Sequence, residues 1–200
     1  MHAAPSISVA VIVAHPDDET LWAGGTLLEN PAWACFVACL CRGSDPDRRP
    51  KYERALESFG AEGAIGDLDD GPEQTPQGAT VMKSAILNLL PTNRYDLIIT
   101  HSPGGEYTRH RRHEEVGKAV IALWNERAVS TNQLWCFAYQ DGFRTHYPRA
   151  IETDTEFVKL SPPIWEKKYK MVTKLYGFSP ESWEARTTPK NEAFWHFATA

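Results

Sequence analysis

Residues 7–14 read ISVAVIVA, and residues 15–19, which follow directly, read HPDDE. The first segment is continuously apolar and rich in β-branched residues, a pattern typical of a strand buried on both faces of a sheet. Residues 20–29 contain leucines around a Gly-Gly pair and precede Asn30 and Pro31, which predicts a helix that ends there. This stretch therefore predicts a strand, a short polar turn and a helix.

The same alternation of apolar runs and helical stretches continues along the chain. Further strands are predicted at 35–41, 96–100 and 134–139, and further helices at 52–59, 81–90 and 110–124. A short strand at best is predicted within 64–80, ahead of a loop rich in Gly, Pro and Asp. Strands that alternate with helices predict an α/β fold, with a doubly wound, mainly parallel, Rossmann-like sheet that carries helices on both faces.

The composition changes in the last part of the chain. Residues 142–163 show little periodicity, and residues 164–176 have the pattern of an amphipathic helix that ends at Gly177. The sequence contains no repeat, low-complexity tract or linker that would separate a second domain. Residues 1–200 are therefore predicted to form a single domain, in which residues 142–200 wrap the sheet and line a substrate pocket.

Composition and charge argue against several classes of function. The chain has 21 Lys and Arg against 26 Asp and Glu, a net charge of -5, so nucleic acid is not expected as a partner. No apolar run approaches the roughly 20 residues that span a bilayer, and the first residues lack the features of a signal peptide. We expect a soluble, cytoplasmic protein without a membrane span. Its four cysteines form no CxxC pair and are predicted to be buried thiols.

Two predicted loops carry side chains that are typical metal ligands. Residues 15–19 follow the first strand, and residues 110–113, which read HRRH, open the helix after the strand at 96–100. Because ligands bind at the carboxyl ends of parallel strands, both loops are expected at the same edge of the sheet. Two imidazoles and a carboxylate would form a three-ligand set with a fourth position for water, as in a catalytic zinc site. Asp17, next to a liganding Asp18, suits the role of general base.

The motif AHPDDE after a buried strand, together with a downstream HxxH that opens a helix, resembles the PIG-L / LmbE-like superfamily of zinc-dependent N-deacetylases, which act on N-acetylglucosaminyl compounds. The resemblance covers the larger part of the chain. It implies that Zn²⁺, or another divalent metal, is bound by His15, Asp18 and His113, and that Asp17 is the general base. It also implies that His110 stabilises the oxyanion or protonates the leaving amine. The implied reaction removes an acetyl group from the amine of a small-molecule amino sugar.

The second motif departs from the family pattern, which usually reads HPDH. Arg112 stands where the family has an Asp, and at most one of Arg111 and Arg112 can share the face of the two histidines, because successive helical residues lie about 100° apart. One hypothesis is that such an arginine binds an acidic group of the substrate. The alternative is that both arginines face solvent or pair with Glu114 and Glu115.

Four further residues are candidates for substrate binding. Arg48 precedes the predicted helix at 52–59, where the family often carries an arginine that faces the pocket, and Asp70 lies in the Gly-, Pro- and Asp-rich loop. His101 follows the strand at 96–100, and Tyr107 resembles a family tyrosine upstream of the second motif. A solvated arginine and a histidine satisfied within the core are the alternatives for Arg48 and His101.

Two other functions stay open at this stage. An open zinc site does not itself choose between bonds, so the protein could be a metal-dependent hydrolase of another amide or an ester. A non-catalytic module that binds a sugar or metabolite is the second alternative. Whether the chain forms a homo-oligomer also stays open at this stage. A Rossmann-type nucleotide binder is disfavoured because no GxGxxG follows the first strand.

Overall fold

A seven-stranded sheet forms the centre of the computed structural model, which describes residues 7–73 and 75–198. Gln74 of the predicted loop, and both ends of the predicted domain 1–200, lie outside the described residues. The strands are β1 Ser8–Val13, β2 Ala34–Cys41, β3 Glu62–Leu68, β4 Arg94–Thr100, β5 Ser130–Phe137, β6 Tyr139–Gln140, β7 Arg149–Ala150, β8 Glu156–Lys159 and β9 Asn191–Ala198. The helices are α1 Asp18–Glu29, α2 Arg48–Phe59, α3 Ala79–Leu89, α4 Arg111–Asn125, α5 Pro162–Lys170 and α6 Trp183–Thr187.

The order of strands in the main sheet is β3-β2-β1-β4-β5-β9-β8. The first five strands in this order pair in parallel, whereas β9 pairs antiparallel with β5 and with β8. Strands β6 and β7 form a separate antiparallel pair. The strand order reverses between β1 and β4, and in such sheets ligands bind outside the carboxyl ends of the strands at this point.

Helices cover both faces of the sheet. Alternate residues of β1 point to opposite sides: Val9, Val11 and Val13 pack in the cluster that contains α1 and α2, and Ala10 and Ile12 pack in the cluster that contains α3 and α4. All of these side chains are fully buried. The predicted α/β fold class, with a mainly parallel sheet between two helical layers, is therefore confirmed.

Some elements differ from the sequence-based expectation. Strand β3 is seven residues long, although glycines at 63 and 66 weaken its intrinsic preference, because it pairs with β2 along most of its length. Helix α2 begins at Arg48, four residues ahead of the predicted start at 52. The helix predicted at 164–176 is α5 followed by the π-helical turn Met171–Leu175. The strands β8 and β9 were not predicted, because their pairing connects distant parts of the chain.

The C-terminal part packs closely against α1. A Cβ atom on Gly25 would lie 2.3 Å from the side-chain methyl groups of Leu160, so glycine allows this close crossing without a shift of Leu160. The carboxylate of Glu192 accepts hydrogen bonds from the backbone N–H groups of Gly25 at 2.8 Å and Thr26 at 2.7 Å. It also pairs with Lys168 Nζ at 2.6 Å, and both charged side chains are fully buried. These contacts hold α1, and hence the loop that precedes it, against α5 and β9.

No helix in the described part of the chain is both long and apolar enough to cross a membrane. All four cysteines are free thiols, and Cys39, Cys41 and Cys136 are buried. Burial raises the pKa of each of these three thiols, as expected for core residues.

Candidate active site

The loops that follow β1, β2, β3 and β4 meet at the carboxyl edge of the sheet, around a cavity of about 590 Å³. Eight of the nine site candidates named from the sequence lie in its wall: His15, Asp17, Asp18, Arg48, Asp70, Tyr107, His110 and His113. The ninth, His101, lies behind the wall and is fully buried. The fold therefore brings the two histidine motifs together, although 93 residues lie between Glu19, the last residue of the first motif, and His113.

Three of these side chains converge closely. His15 Nδ1 lies 3.2 Å from Asp18 Oδ2 and 3.3 Å from His113 Nε2. His113 Nε2 lies 3.3 Å from Asp18 Oδ1. Tetrahedral zinc with bonds of about 2.0–2.2 Å places its ligand atoms about 3.3–3.6 Å apart, which fits the 3.3 Å between the two facing imidazole nitrogens, and Asp18 places one carboxylate oxygen beside each of them. Two imidazole nitrogens and one carboxylate oxygen are also a donor set that catalytic zinc accepts.

The turn between β1 and α1 presents two neighbouring carboxylates in different directions. Asp17 has a φ of 119°, a left-handed conformation that costs a non-glycine residue on the order of 1–3 kcal/mol. Asp18 is held toward the imidazoles, because its carboxylate accepts hydrogen bonds from the His15 backbone N–H at 2.8 Å and from Trp22 Nε1 at 3.1 Å. Although burial alone would raise it, the pKa of Asp18 is held well below its usual value by His113 and His101. The turn thus supplies one ionised candidate ligand and one carboxylate beside it.

A buried carboxylate that the sequence analysis missed lies behind His113. Glu106 is fully buried, and its Oε2 lies 2.6 Å from His113 Nδ1 and 3.0 Å from His101 Nδ1. Burial would raise its pKa, but the two imidazoles bring the pKa of Glu106 down to about 2. A carboxylate on the far nitrogen fixes the tautomer of a metal-binding histidine. An acidic residue in the loop just ahead of the HRRH motif was the available signal.

His101 does not reach the cavity. Its Nε2 accepts the backbone N–H of Ala14 at 3.0 Å, and its Nδ1 contacts Glu106. It also lies near Asp18 and His113, but both of its ring nitrogens already have protein partners. The expectation that His101 touches substrate is therefore corrected: it supports the residues behind the cavity wall.

Helix α4 approaches the end of β4 closely enough to place His113 beside the first loop. A Cβ atom on Gly117 would lie 2.5 Å from the carbonyl oxygen of His101, so glycine permits this approach. The His110 ring centroid lies 4.1 Å from that of His113 and 4.8 Å from that of His15. Burial and the neighbouring imidazoles lower the pKa of His110 to about 3. A pKa this low favours the neutral form of the His110 imidazole.

Asp17 pairs with Arg48 in the cavity wall. Arg48 Nη1 donates a hydrogen bond to Asp17 Oδ2 at 3.0 Å, and its guanidinium lies 4.7 Å from the ring centroid of Phe178. Burial and the nearby charge of Asp18 raise the pKa of Asp17 well above its usual value, despite the opposing effect of Arg48. A carboxylate with a raised pKa is a stronger base, as general-base catalysis requires.

The backbone of Asp17 is held by buried hydrogen bonds that connect it, through Glu19, to the C-terminal part of the chain. Glu19 is fully buried and accepts hydrogen bonds from the Asp17 backbone N–H at 3.1 Å, from Thr20 Oγ1 at 2.6 Å and from the Tyr176 hydroxyl at 2.6 Å. Tyr176 directly follows the π-helical turn. The sequence analysis assigned no role to Glu19 or Tyr176, because their pairing spans 157 positions.

His15 is supported in the same way as His113. Its Nε2 lies 3.1 Å from Asp70 Oδ1, and Asp70 Oδ2 accepts hydrogen bonds from Arg42 Nε at 3.1 Å and Nη2 at 2.8 Å. Burial would raise the pKa of Asp70, but His15 and Arg42 lower it to about 2. Asp70, expected as a substrate-binding residue, thus contacts a candidate ligand. Arg42, which the sequence analysis missed, also lines the cavity.

Aromatic side chains form the remaining wall. The Tyr107 ring centroid lies 5.6 Å from that of His113 and 4.7 Å from that of Trp183. Trp183 and Glu184 come from the C-terminal part of the chain, and both line the cavity. Trp183 keeps 37% of its surface exposed, which leaves an aromatic face at the rim. The sequence analysis missed Trp183 because it lies in a segment without clear periodicity.

The two arginines of the HRRH motif lie outside the cavity wall. Arg112 is fully buried, where it pairs with Glu115 and donates from Nη2 to the Thr75 carbonyl at 3.3 Å. Glu115 Oε1 also accepts the backbone N–H of Gln77 at 3.1 Å. Arg111 is exposed. The hypothesis that one of these arginines binds an acidic substrate group is corrected, because Arg112 instead ties α4 to the segment that follows β3.

Residues 10–124 match the family model PIG-L, described as GlcNAc-PI de-N-acetylase. The match covers more than half of the chain and includes both histidine motifs with the three converging side chains. The chain therefore belongs to the PIG-L family, as the resemblance of its motifs predicted. The C-terminal part, with Tyr176 and Trp183, lies outside the matched residues.

Individual proteins show more distant likeness. The chain is 24% identical over 178 residues to an uncharacterized protein of Acanthamoeba polyphaga mimivirus, an alignment that covers 81% of this chain and 75% of that protein. The N,N'-diacetylchitobiose deacetylase from Pyrococcus horikoshii superposes with a TM-score of 0.68 and 20% identity over 96% of this chain and 84% of that chain. GalB, the 4-carboxy-2-hydroxymuconate hydratase of Pseudomonas putida, superposes with a TM-score of 0.60 and 19% sequence identity, and the superposition covers 90% of this chain and 83% of that chain. These likenesses show the fold, on which a deacetylase and a hydratase are both found.

Proposed function

We propose that this protein is a zinc-dependent N-deacetylase that removes an acetyl group from the amine of an N-acetylglucosamine-type sugar or its conjugate. The observation that carries the proposal is the convergence of His15, Asp18 and His113 at 3.2–3.3 Å, with Asp17 beside them. Membership of the PIG-L family and the deacetylase among the structural neighbours support the reaction type.

Each of the two histidines among the proposed ligands has a carboxylate behind it. Glu106 contacts the far nitrogen of His113 and Asp70 contacts the far nitrogen of His15, so the nitrogens that face each other are the ones available to a metal. When bound, zinc polarises the amide carbonyl and lowers the pKa of a water molecule to about 7. Hydrolysis of an amide at neutral pH needs both effects.

We propose that Asp17 moves the proton. It accepts a proton from the water as the oxygen attacks the acetyl carbon, and it returns that proton to the nitrogen as the C–N bond breaks. The acetic acid so formed gives up its remaining proton to the amine or to solvent, acetate and the amine leave, and the Asp17 carboxylate is restored. Arg48 holds the carboxylate in place through the 3.0 Å hydrogen bond. The raised pKa of Asp17 suits both transfers.

His110 and the aromatic wall are proposed to act on the rest of the substrate. As a neutral imidazole, His110 donates a ring N–H to the former carbonyl oxygen while negative charge develops there. Tyr107 is proposed to contact the sugar, together with Arg48. Residues 142–200 are proposed to complete the pocket, since Trp183 lies in its wall.

The test is acetate release by the zinc-loaded protein from a panel of N-acetylglucosamine conjugates. Acetate and free amine should form in equal amounts. The substitution Asp17→Asn should lower kcat by about 10²–10⁴-fold, the usual effect of losing a general base, while the zinc content stays unchanged. Asp47→Asn is the matched control, because Asp47 is exposed and pairs with Lys51 outside the cavity wall.

Two results would contradict the proposal. An Asp17→Asn protein with wild-type turnover would remove Asp17 from the mechanism. If the wild type releases no acetate but hydrates 4-carboxy-2-hydroxymuconate or hydrolyses acetyl esters alone, the reaction class is wrong. The hydratase assay is included because GalB shares the fold.

A further inference from the structure

The connection between β3 and α3, residues 69–78, touches two other parts of the molecule. Near its start, Asp70 lies in the wall of the active-site cavity, and its Oδ1 lies 3.1 Å from Nε2 of His15. Near its end, the connection contacts helix α4 through Thr75 and Gln77. It therefore joins the start of α4 to the carboxylate behind one of the proposed zinc ligands.

Two side chains of α4 hold this connection in place. Arg112 pairs with Glu115, which lies one helical turn further on, and its Nη2 donates a hydrogen bond to the Thr75 carbonyl oxygen at 3.3 Å. Glu115 Oε1 accepts the backbone N–H of Gln77 at 3.1 Å. The connection is thus held through two of its backbone groups, and the ion pair keeps both side chains in position for these contacts.

Burial makes Arg112 a firmer constraint than Arg42, which binds Asp70 from the other side. The Arg112 side chain is fully buried in the first turn of α4, where the helix dipole opposes a positive charge. Because an unpaired buried charge is costly, this guanidinium requires its partners to stay in place. Arg42 keeps 47% of its side chain exposed, and exposed ion pairs hold side chains weakly. The position of the connection therefore depends mainly on Arg112.

We propose that Arg112 is a positioning residue of the metal site, which acts through the 69–78 connection and Asp70 to orient His15. This inference rests on the proposed function, because it takes His15 as a zinc ligand. A carboxylate on the far nitrogen orients a metal-binding imidazole, so a displaced Asp70 weakens zinc binding. The HRRH motif then serves both ligands: His113 is one of them, and Arg112 holds the support of the other.

The test is the dissociation constant of zinc, measured by competition with a chelator in single and double variants. Asp70→Asn should raise the Kd by about 10- to 100-fold, the usual effect of losing such a partner. Arg112→Gln should raise the Kd by about 10-fold, the lower end of that range, because Asp70 is displaced but still present. Arg111→Gln, at the exposed neighbour, is the matched control and should leave the Kd unchanged.

Two double variants show through which ligand Arg112 acts. Arg112→Gln combined with Asp70→Asn should bind zinc no more weakly than Asp70→Asn alone, because both changes remove the same support. Glu106→Gln alters the carboxylate behind His113 and provides the comparison. Arg112→Gln should add its full effect to that of Glu106→Gln, since the two changes act on different ligands.

An equal Kd in wild type and Arg112→Gln would overturn the proposal. Effects that multiply in the double variant with Asp70→Asn would also overturn it, because a general loss of stability gives that result. Circular dichroism checks that each variant is folded. If Arg112→Gln is not folded, Arg112→Lys replaces it in both comparisons, since lysine keeps the charge beside Glu115 but lacks the planar fork that contacts Glu115 and Thr75 together.

The same measurements separate this inference from the proposed function. A wild type that binds zinc but releases no acetate would contradict the proposed function alone, and the zinc constants would still decide the role of Arg112. A wild type that binds no zinc would overturn both.

Discussion

Residues 10–124 and residues 142–198 contribute to the same cavity in different ways. The first region supplies the proposed ligands and base from two short motifs, each at the carboxyl end of a parallel strand. The second region supplies Trp183 to the cavity wall and Tyr176 to the hydrogen bonds behind the wall, from separate places along the chain. The comparison indicates that the proposed reacting groups are encoded locally, whereas their support and the aromatic part of the cavity wall depend on long-range packing.

The same difference explains what the sequence could predict. Buried strands such as 7–14 and 96–100 are continuous apolar runs, so the alternation of strands and helices and the fold class followed from local pattern. Because parallel strands end at one edge, the convergence of His15 and His113 could also be predicted.

The supporting residues could not be predicted in this way. Glu106 and Arg42 are single charged residues whose roles exist only once His113 and Asp70 lie beside them. The buried pair of Lys168 and Glu192 reads in the sequence as ordinary surface charge. Strand β9 depends on its partners on either side rather than on its own periodicity.

The largest expected effect is the loss of zinc when a proposed ligand from residues 10–124 is removed. His113→Ala should reduce the zinc content from about one ion per chain to a small fraction and abolish turnover, because two ligands remain of three. His110 also lies close enough to His15 and His113 to share a metal ion with them, but the proposed ligand set has Asp18 in its place, so His110→Ala is the comparison variant and should retain its zinc. Metal content after dialysis is measured by mass spectrometry. Retention of zinc by His113→Ala with loss from His110→Ala would reverse the assignment of these histidines.

A smaller effect tests whether the second region positions the base. Tyr176→Phe removes one of the three hydrogen bonds to Glu19, which in turn holds the Asp17 backbone. We expect kcat to fall by about 5- to 10-fold, as for the loss of roughly 1 kcal/mol, with KM and zinc content unchanged.

Tyr169→Phe provides the matched control for that substitution. Tyr169 also lies in the C-terminal part, but its hydroxyl has no hydrogen-bond partner among the described residues. Its removal should leave kcat unchanged. If both substitutions lower kcat equally, or if Tyr176→Phe changes KM alone, the contact to Glu19 does not position Asp17.

The smallest expected effect concerns the contribution to stability of Asp141, just after β6, whose two carboxylate oxygens accept hydrogen bonds from Thr108. Although burial would raise it, the hydrogen bonds from Thr108 hold the pKa of Asp141 below its usual value of about 3.9. A lowered pKa in the folded state stabilises the protein above pH 4, and that stabilisation is lost as the pH falls through the folded value. Asp141→Asn should therefore cost about 1–2 kcal/mol of unfolding free energy at pH 7, and less at pH 3. Urea unfolding at both pH values measures this, and a pH-independent difference would show that the carboxylate charge is not responsible.

The most direct measurement is the rate of acetate release from an N-acetylglucosamine conjugate while zinc is added to chelator-treated protein. The proposed site predicts no release without metal, a linear rise in rate, and a break at about one zinc ion per chain, with one free amine formed for each acetate. Full activity in the chelator-treated protein, or no acetate release once each chain holds one zinc ion, would contradict it.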